Sequence, residues 1–399
     1  MPQFVPPAGV ALGLSPLAHA WKALISSNGD ADETLASFAA WLGVRKVFGV
    51  SSGRAALTVI LRSLHRLCPD RDVVALPAYT CFTVPASVVR AGLKLHPLEM
   101  NPETLDIDYE QLQNLPEKRL LCFITANLFG IVNDVPRLRR MVRSRGAFVI
   151  DDAAQSMGAT RNGKPSGTMG DVGFYSLGRG KPLSAGEGGI IVTNCEEIAS
   201  AIHSEFAQLP KASRKHDSQL FLNLLAQSIF LRPSLYWIPN SLPFLKLGTT
   251  EFAPSFPLTR LSAIPCTLLP ELRDRLLGLN ERRRENAAHI IDALRGNSSF
   301  VVPTVPSECR PIYARFPLLA KSEAIRDRAV RELQKAGIGA SPFYPSAVCD
   351  ISGIAPFMDG PDFHRPRAET LSRTMLTLPT HPLVRRQDLD RMADVLRRV

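Results

Sequence analysis

Residues 46–67, KVFGVSSGRAALTVILRSLHRL, decide the fold. A short run rich in strand-forming residues, Lys46–Val50, stops at Ser51-Ser52-Gly53, and a helical pattern of apolar residues then runs from Gly53 to Leu67. Strand, tight turn of small residues and helix form the unit from which sheets with crossover helices are assembled. The same alternation continues from about residue 35 to residue 195. It predicts strands at Lys46–Val50, Val73–Leu76, Lys94–Pro97, Leu120–Thr125, Ala147–Asp151, Val172–Ser176 and Gly189–Thr193. Helices are expected at Gly53–Leu67, Phe82–Ala91 and Val135–Arg145, the last opened by Asp134 as N-cap and closed by Gly146. The expected fold class is α/β: a doubly wound, mostly parallel, seven-stranded sheet domain.

Beyond residue 195 the pattern changes. Residues 207–250 carry a basic lead-in (Lys211, Arg214, Lys215) and then an apolar stretch that Arg232 and the prolines 233, 239 and 243 keep from being a straight spanning helix. Leu258 to Leu294 reads as a long, increasingly charged connector helix. The tail reads strand (Ile312–Ala320), helix (Ser322–Ala336), helix (Arg365–Arg373), strand and helix (Gln387–Arg398), a smaller α+β domain. The expected division is therefore 1–250 and 251–399.

Of the 399 residues, 45% are hydrophobic and 21% charged, which suits a globular chain with a large core and excludes a disordered or fibrous one. The seven cysteines never stand closer than 13 residues apart, so neither a CxxC metal knuckle nor a secreted disulfide framework is expected. The N-terminus has no basic region ahead of its apolar stretch, and no apolar run reaches about 18 residues. A cytoplasmic protein without a membrane span is expected. The net charge of +10 suits anionic partners. The basic residues are scattered and no recognition motif accompanies them, which argues against nucleic acid.

Ligands in open α/β sheets bind beyond the carboxyl ends of strands, and four segments place chemistry there. Ser51-Ser52-Gly53-Arg54 opens a helix whose free N–H groups, with an arginine beside them, can cradle a phosphate; the same residues can also simply cap the helix. Phe148–Gln155 ends a strand in Asp151-Asp152, and a carboxylate there needs a cationic or protonated partner, although one of the pair can serve as an N-cap. Gly178–Gly189 holds Lys181 in a glycine-rich loop that is not a Walker loop, where its amine can act as a nucleophile. Leu76–Phe82 brings Tyr79, Cys81 and Phe82 to a strand-to-helix turn, where an aromatic side chain can stack on a planar ligand or fill the core.

Phosphate cradle, carboxylate, amine and stacking group together suit pyridoxal phosphate. In the order SSGRAAL, LPAYTCF, NPETLDID, FVIDDAAQSMGAT, GDVGFYS and K-x4-GEGG, nearly the whole chain resembles the DegT/StrS-type sugar-nucleotide aminotransferases of the type I fold. The resemblance implies Lys181 as the lysine that carries the cofactor and Asp152 at the pyridine nitrogen. It also implies Gln155 near the ring hydroxyl, and Ser176 with Ser52, Gly53 and Arg54 at the phosphate. Cys81 and Phe82 would stand at the ring face. The retained Lys181 favours amino transfer over the related dehydratases, which have histidine there.

The resemblance further implies a homodimer, a glutamate donor and a nucleotide-linked keto-sugar acceptor. Several positions depart from the family pattern: Arg54 stands for Thr, Cys81 for the aromatic stacker, Leu258 for the Asn that reaches a partner's phosphate, and Gly178 and Phe343 for histidines on the substrate side. Arg54 can replace the amide lost at Leu258. The alternatives are an acceptor that is lipid-linked or a hydrophobic ketone, met at the inner membrane surface through residues 218–247, and a non-catalytic regulator that binds the cofactor. His381 is expected to cap or pack a turn, Arg282-Arg283-Arg284 to form a solvated helix face, and no metal is expected.

Overall fold

The computed structural model describes residues 3–9, 12–26, 31–242, 245, 248, 250–361 and 364–399. Helices α1 (Leu14–Ser26) and α2 (Ala31–Leu42) lead into β1 (Lys46–Val50), α3 (Gly53–Leu67), β2 (Val73–Pro77), α4 (Thr83–Arg90), β3 (Lys94–Leu98) and β4 (Leu120–Ile124). Helix α5 (Val135–Val142), β5 (Phe148–Asp152), the short pair β6 (Thr160–Arg161) and β7 (Lys164–Pro165), β8 (Val172–Ser176) and β9 (Gly189–Thr193) complete the large sheet region. Seven strands stand in the order β1-β9-β8-β5-β4-β2-β3, with β9 antiparallel to both its neighbours and the rest parallel. Strands β2, β4, β8 and β9 are buried along their whole length, which is why they read as continuous apolar runs. All seven expected strands are present. The fifth lies one residue later than expected, which brings Asp152 inside the strand.

Local signals act as the sequence suggests. Ser52 Oγ accepts from Ala55 N at 3.2 Å to cap α3, and Asp134 Oδ1 accepts from Arg137 N at 3.0 Å to cap α5. Beyond α5 a 3₁₀ turn, Arg143–Arg145, runs into Gly146 at φ 61°, a left-handed C-cap that glycine adopts without strain.

Helices α6 (Glu196–Ala207), α7 (Arg214–Phe230) and α8 (Trp237–Asn240) follow, then α9 (Ala263–Ala293). The apolar stretch is thus two helices broken at Pro233, while Pro243 lies outside the described residues. The tail forms β10 (Phe300–Val301), β11 (Cys309–Arg310), β12 (Phe316–Ala320), α10 (Glu323–Lys335), β13 (Ser341–Pro342), α11 (Pro366–Thr374), β14 (Met375–Leu378) and α12 (Arg386–Arg398). Its sheet, β10-β12-β14-β13, is antiparallel. Strand β12 starts at Phe316 rather than Ile312 because Tyr313 sits at φ 47°, outside the strand region.

Two segments cross the division expected at residue 250. Val5 donates to Gly337 O and accepts from Gly339 N, both at 2.8 Å, joining the small-domain core. Helix α9 sends Leu268, Leu269, Leu272 and Leu276 into the core beside Phe38, Tyr175 and Leu183, then Ala287 and Ile290 into the small-domain core.

Candidate active site

The cleft forms where β1, β5 and β8 end. Ser52 and Gly53 begin α3 directly beside Ser176: a Cβ on Gly53 would sit 3.0 Å from Ser176 Cβ, and one on Gly189 would sit 2.2 Å from Ser52 O. Glycine at both positions is what lets the helix start close on the end of β8. The first N–H groups of α3 have no partner within the helix, so a positive end faces the cleft next to the Ser176 hydroxyl.

Adjacent carboxylates on β5 have opposite fates, since neighbouring side chains on a strand point to opposite faces. Asp151 is fully buried and saturated: Oδ1 accepts from Asn127 Nδ2 at 2.8 Å, and Oδ2 accepts from Gly167 N at 2.8 Å and Met169 N at 3.1 Å. Asp152 lines the cleft, and its only hydrogen-bonded carboxylate oxygen among the described residues is Oδ1, which accepts from Ala154 N at 2.8 Å. Burial pushes its carboxyl up to about 6, against the pull of the Ala154 N–H and the charge of Lys181.

Lys181 lines the same cleft from a loop pinned at its base, where Ala185 N donates to Leu177 O at 2.9 Å. The loop is held from behind by Arg283, whose Nη2 donates to Pro182 O at 2.9 Å and whose Nη1 donates to Asn280 Oδ1 at 2.5 Å. Arg283 is therefore not part of a solvated face: it is 2% exposed, and burial lowers its guanidinium to about 10. A charge run reads as surface unless the middle residue happens to face inward, and here α9 turns Arg283 toward the loop.

Gln155 spans two elements, accepting from Phe129 N at 3.2 Å and donating to Tyr344 OH at 2.8 Å. Arg54 lines the cleft with its guanidinium 4.6 Å above the Phe256 ring, and no carboxylate among the described residues pairs with it. Glu187 is taken by His216, Nε2 lying 2.6 Å from Oε1. Cys81 also lines the cleft, its Sγ accepting from Thr83 Oγ1 at 3.0 Å. Phe82 does not line the cleft: it is 7% exposed in the large-domain core, where its apolar area is worth more buried than at the cleft wall.

The cleft thus brings together Ser52, Gly53, Arg54, Cys81, Asp152, Gln155, Ser176 and Lys181, and leaves out Phe82. Sequence reasoning missed Asn127, which lines the cleft while donating to Asp151 Oδ1 and Asp152 O, and Tyr344, which reaches Gln155. Their signal was tertiary: neither stands in a motif read at a strand end. Among the departing positions, Leu258 packs on the large-domain core, and Phe343 packs on Phe129 and Tyr344 with ring centroids 4.7 and 4.2 Å away. His381 packs as expected, its Nε2 2.7 Å from Pro6 O.

Pyridoxal phosphate fits this donor set. The N–H groups at the start of α3 and the Arg54 guanidinium would suit its phosphate, the open carboxylate oxygen of Asp152 would suit its protonatable nitrogen, and the amine of Lys181 would suit its aldehyde.

The model of the DegT/DnrJ/EryC1/StrS aminotransferase family matches residues 22–397, and the chain belongs to that family. Over 91% of its length it is 25% identical to the GDP-perosamine synthase of Caulobacter vibrioides, covering 88% of that protein. It is likewise 25% identical to the dTDP-3-amino-3,4,6-trideoxy-alpha-D-glucose transaminase of Streptomyces venezuelae, over 91% of this chain and 85% of the other. The E. coli GDP-4-keto-6-deoxy-D-mannose-3-dehydratase structure with bound hydrated PLP superposes with a TM-score of 0.79 at 21% identity, covering 99% of this chain and all of that one. That likeness shows the type I fold, a large mostly parallel sheet domain with a smaller C-terminal one.

Proposed function

We propose that the chain is a pyridoxal 5'-phosphate-dependent aminotransferase that moves an amino group from glutamate to a keto-sugar linked to a nucleotide. The observation that carries this reading is the open carboxylate oxygen of Asp152, buried in the cleft that Lys181, Arg54 and the start of α3 also line. When bound, the cofactor supplies an electrophilic carbon that takes up amino groups and a ring that accepts electrons released at the substrate Cα. Ser52, Gly53, Arg54 and Ser176 would hold its phosphate. Asp152 would keep a proton at the ring nitrogen, an ion pair that offsets the cost of its own burial. Lys181 Nζ would hold the aldehyde carbon and then serve as the base that carries a proton at Cα.

Two family members act, by their names, on GDP- and dTDP-linked sugars, and the +10 charge suits such diphosphates. The retained Lys181 supports amino transfer over dehydration. A homodimer, in which a second copy completes each cleft, belongs to the same reading. A second acceptor class, lipid-linked or otherwise hydrophobic and met at a membrane, is favoured by the apolar side chains that α7 leaves exposed.

Borohydride reduction of the cofactor-loaded protein, followed by peptide mapping, tests the assignment. A reducible adduct at Lys181, absent from Lys181→Ala, is expected; an adduct retained at wild-type level in that variant overturns it. Loss of the visible absorbance on adding glutamate separates the enzyme from a regulator, which would keep its spectrum unchanged.

A further inference from the structure

Helices α1 and α7 lie side by side on the large domain, with the Trp21 and Phe221 ring centroids 5.4 Å apart. They run antiparallel, since Gly9 ahead of α1 meets Leu231 just past the end of α7. Each buries one apolar row: Ala20 and Ala23 from α1, Leu220 and Leu224 from α7. Each also turns a second apolar row outward. On α1, Leu14, Trp21 and Ile25 are 87, 52 and 63% exposed; on α7, Leu222, Leu225 and Ile229 are exposed, followed by Phe230 and, further on, Trp237, Leu242 and Leu245. Spacings of three, four and seven put each row on a single helix face. Apolar patches of this extent mark a surface that meets something.

Cations ring these rows. Lys211 and Lys215 stand at the start of α7 and Arg232 follows its end, all of them exposed. Of the nearby carboxylates, Asp217 is a single partly buried counter-charge in the first turn of α7, Glu271 is engaged by Ser15 and His19, and Glu187 by His216. This charge selects the occupant. A second copy seated face to face would bring the same cations together, whereas an anionic lipid surface neutralises them while its acyl region takes the leucines and tryptophans.

We propose that the α1–α7 plate, continued by α8, is a docking surface for bilayers containing anionic phospholipid, on which the protein lies without spanning. No helix among the described residues is long and apolar enough to cross a membrane. Docking would bring the Lys181 loop close to the lipid, because Leu220 and Leu224 pack on Gly186, with 2.9 and 2.7 Å to the point where a Cβ would stand. The surface does not depend on the amino-transfer reading, and its test uses none of that reading's residues.

The experiment is co-sedimentation of the full cofactor-loaded chain with vesicles of two parts phosphatidylcholine to one part phosphatidylglycerol, and with phosphatidylcholine alone. Binding to the anionic vesicles is expected to be at least tenfold tighter and to weaken as salt is raised, with Trp fluorescence moving to shorter wavelength. Leu222→Glu combined with Ile229→Glu should reduce binding at least tenfold while the visible cofactor band persists, a sign that the fold is kept. Lys211→Ala with Lys215→Ala should reduce only the anionic component. Wild-type protein that stays in the supernatant with anionic vesicles overturns the proposal. So does a change of solution mass by light scattering in the Leu222/Ile229 double variant without vesicles, since the face would then be a contact between copies.

Discussion

Asp151 and Asp152 share a strand, a chemistry and burial, yet three protein donors satisfy one and the cleft completes the other. Asp152→Asn is therefore expected to slow the amino-transfer half-reaction at least a hundredfold, within the range that positioned proton-holding groups contribute, while the fold persists. Asp151→Asn should instead lower the melting temperature, because an amide presents an NH₂ to at least one of three N–H donors, at about 1–3 kcal/mol for each partner left unmade. Stopped-flow absorbance and thermal melts on both variants decide it; the opposite pattern reverses the assignment. The same residue sets a pH dependence. With its folded carboxyl raised to about 6, ionisation costs the cofactor-free protein stability as pH rises from the ordinary carboxylate range through 6, and the cost is absent below that range. A bound cation at Asp152 cancels that cost, so the thermal shift produced by pyridoxal phosphate should grow between pH 5 and pH 7 and stay flat in Asp152→Asn. Arg54 carries a third prediction. Its guanidinium has no carboxylate partner among the described residues and rests on Phe256, so Arg54→Thr should weaken cofactor retention about tenfold, the worth of one charge-assisted bond. Unchanged dissociation in equilibrium dialysis would show that the α3 N–H groups suffice. These residues were legible in sequence because each stands at a strand end in a motif. Phe82 misled because an aromatic residue beside such a turn serves the core equally well.

Among the elements, α9 links the site to the rest of the fold. Three consecutive inward polar residues tie it to three loops: Asn280 Nδ2 donates to Met157 O at 3.1 Å, Arg283 Nη2 to Pro182 O, and Asn286 Nδ2 to Thr380 O at 2.9 Å. Their spacing of three keeps them on one helix side, which passes from the large-domain core to the small-domain core. Because Arg283 holds the residue next to Lys181, Arg283→Leu should leave Pro182 O and Asn280 Oδ1 without their donors and loosen that loop. The expected result is faster amide exchange over residues 178–188 with protection of β4 and β5 retained. A uniform loss of protection would mean that Arg283 supports global stability alone. The strands and most helices could be read from periodicity, because seven short apolar runs separated by helical patterns admit few other arrangements. The inward turn of Arg283 could not, since helix phase within a charge run is set by contacts made a hundred residues away.

At the scale of the molecule, the expected pairing of two chains rests on the family to which this one belongs, whose sites are expected to be completed across a subunit interface. The segment that would carry that role departs from the pattern at Leu258, which packs on its own core while Thr259 and Arg260 run beside β1. If Arg54 supplies a phosphate contact from within the chain, as proposed, a second copy would have less to contribute at the phosphate than in members with the asparagine. What remains for it is the mouth of the cleft and the substrate. The two contributions separate on dilution, because a site completed by a partner loses activity per chain as the dimer dissociates, whereas a self-sufficient one does not. The expectation is a particle of twice the 43.7 kDa chain mass by light scattering, with amino-transfer activity per chain falling alongside that mass on dilution while the visible absorbance of bound cofactor persists. Cofactor lost in step with the mass would place the partner at the phosphate after all and remove the compensating role from Arg54. A fully active monomer would show that each chain builds its whole site alone.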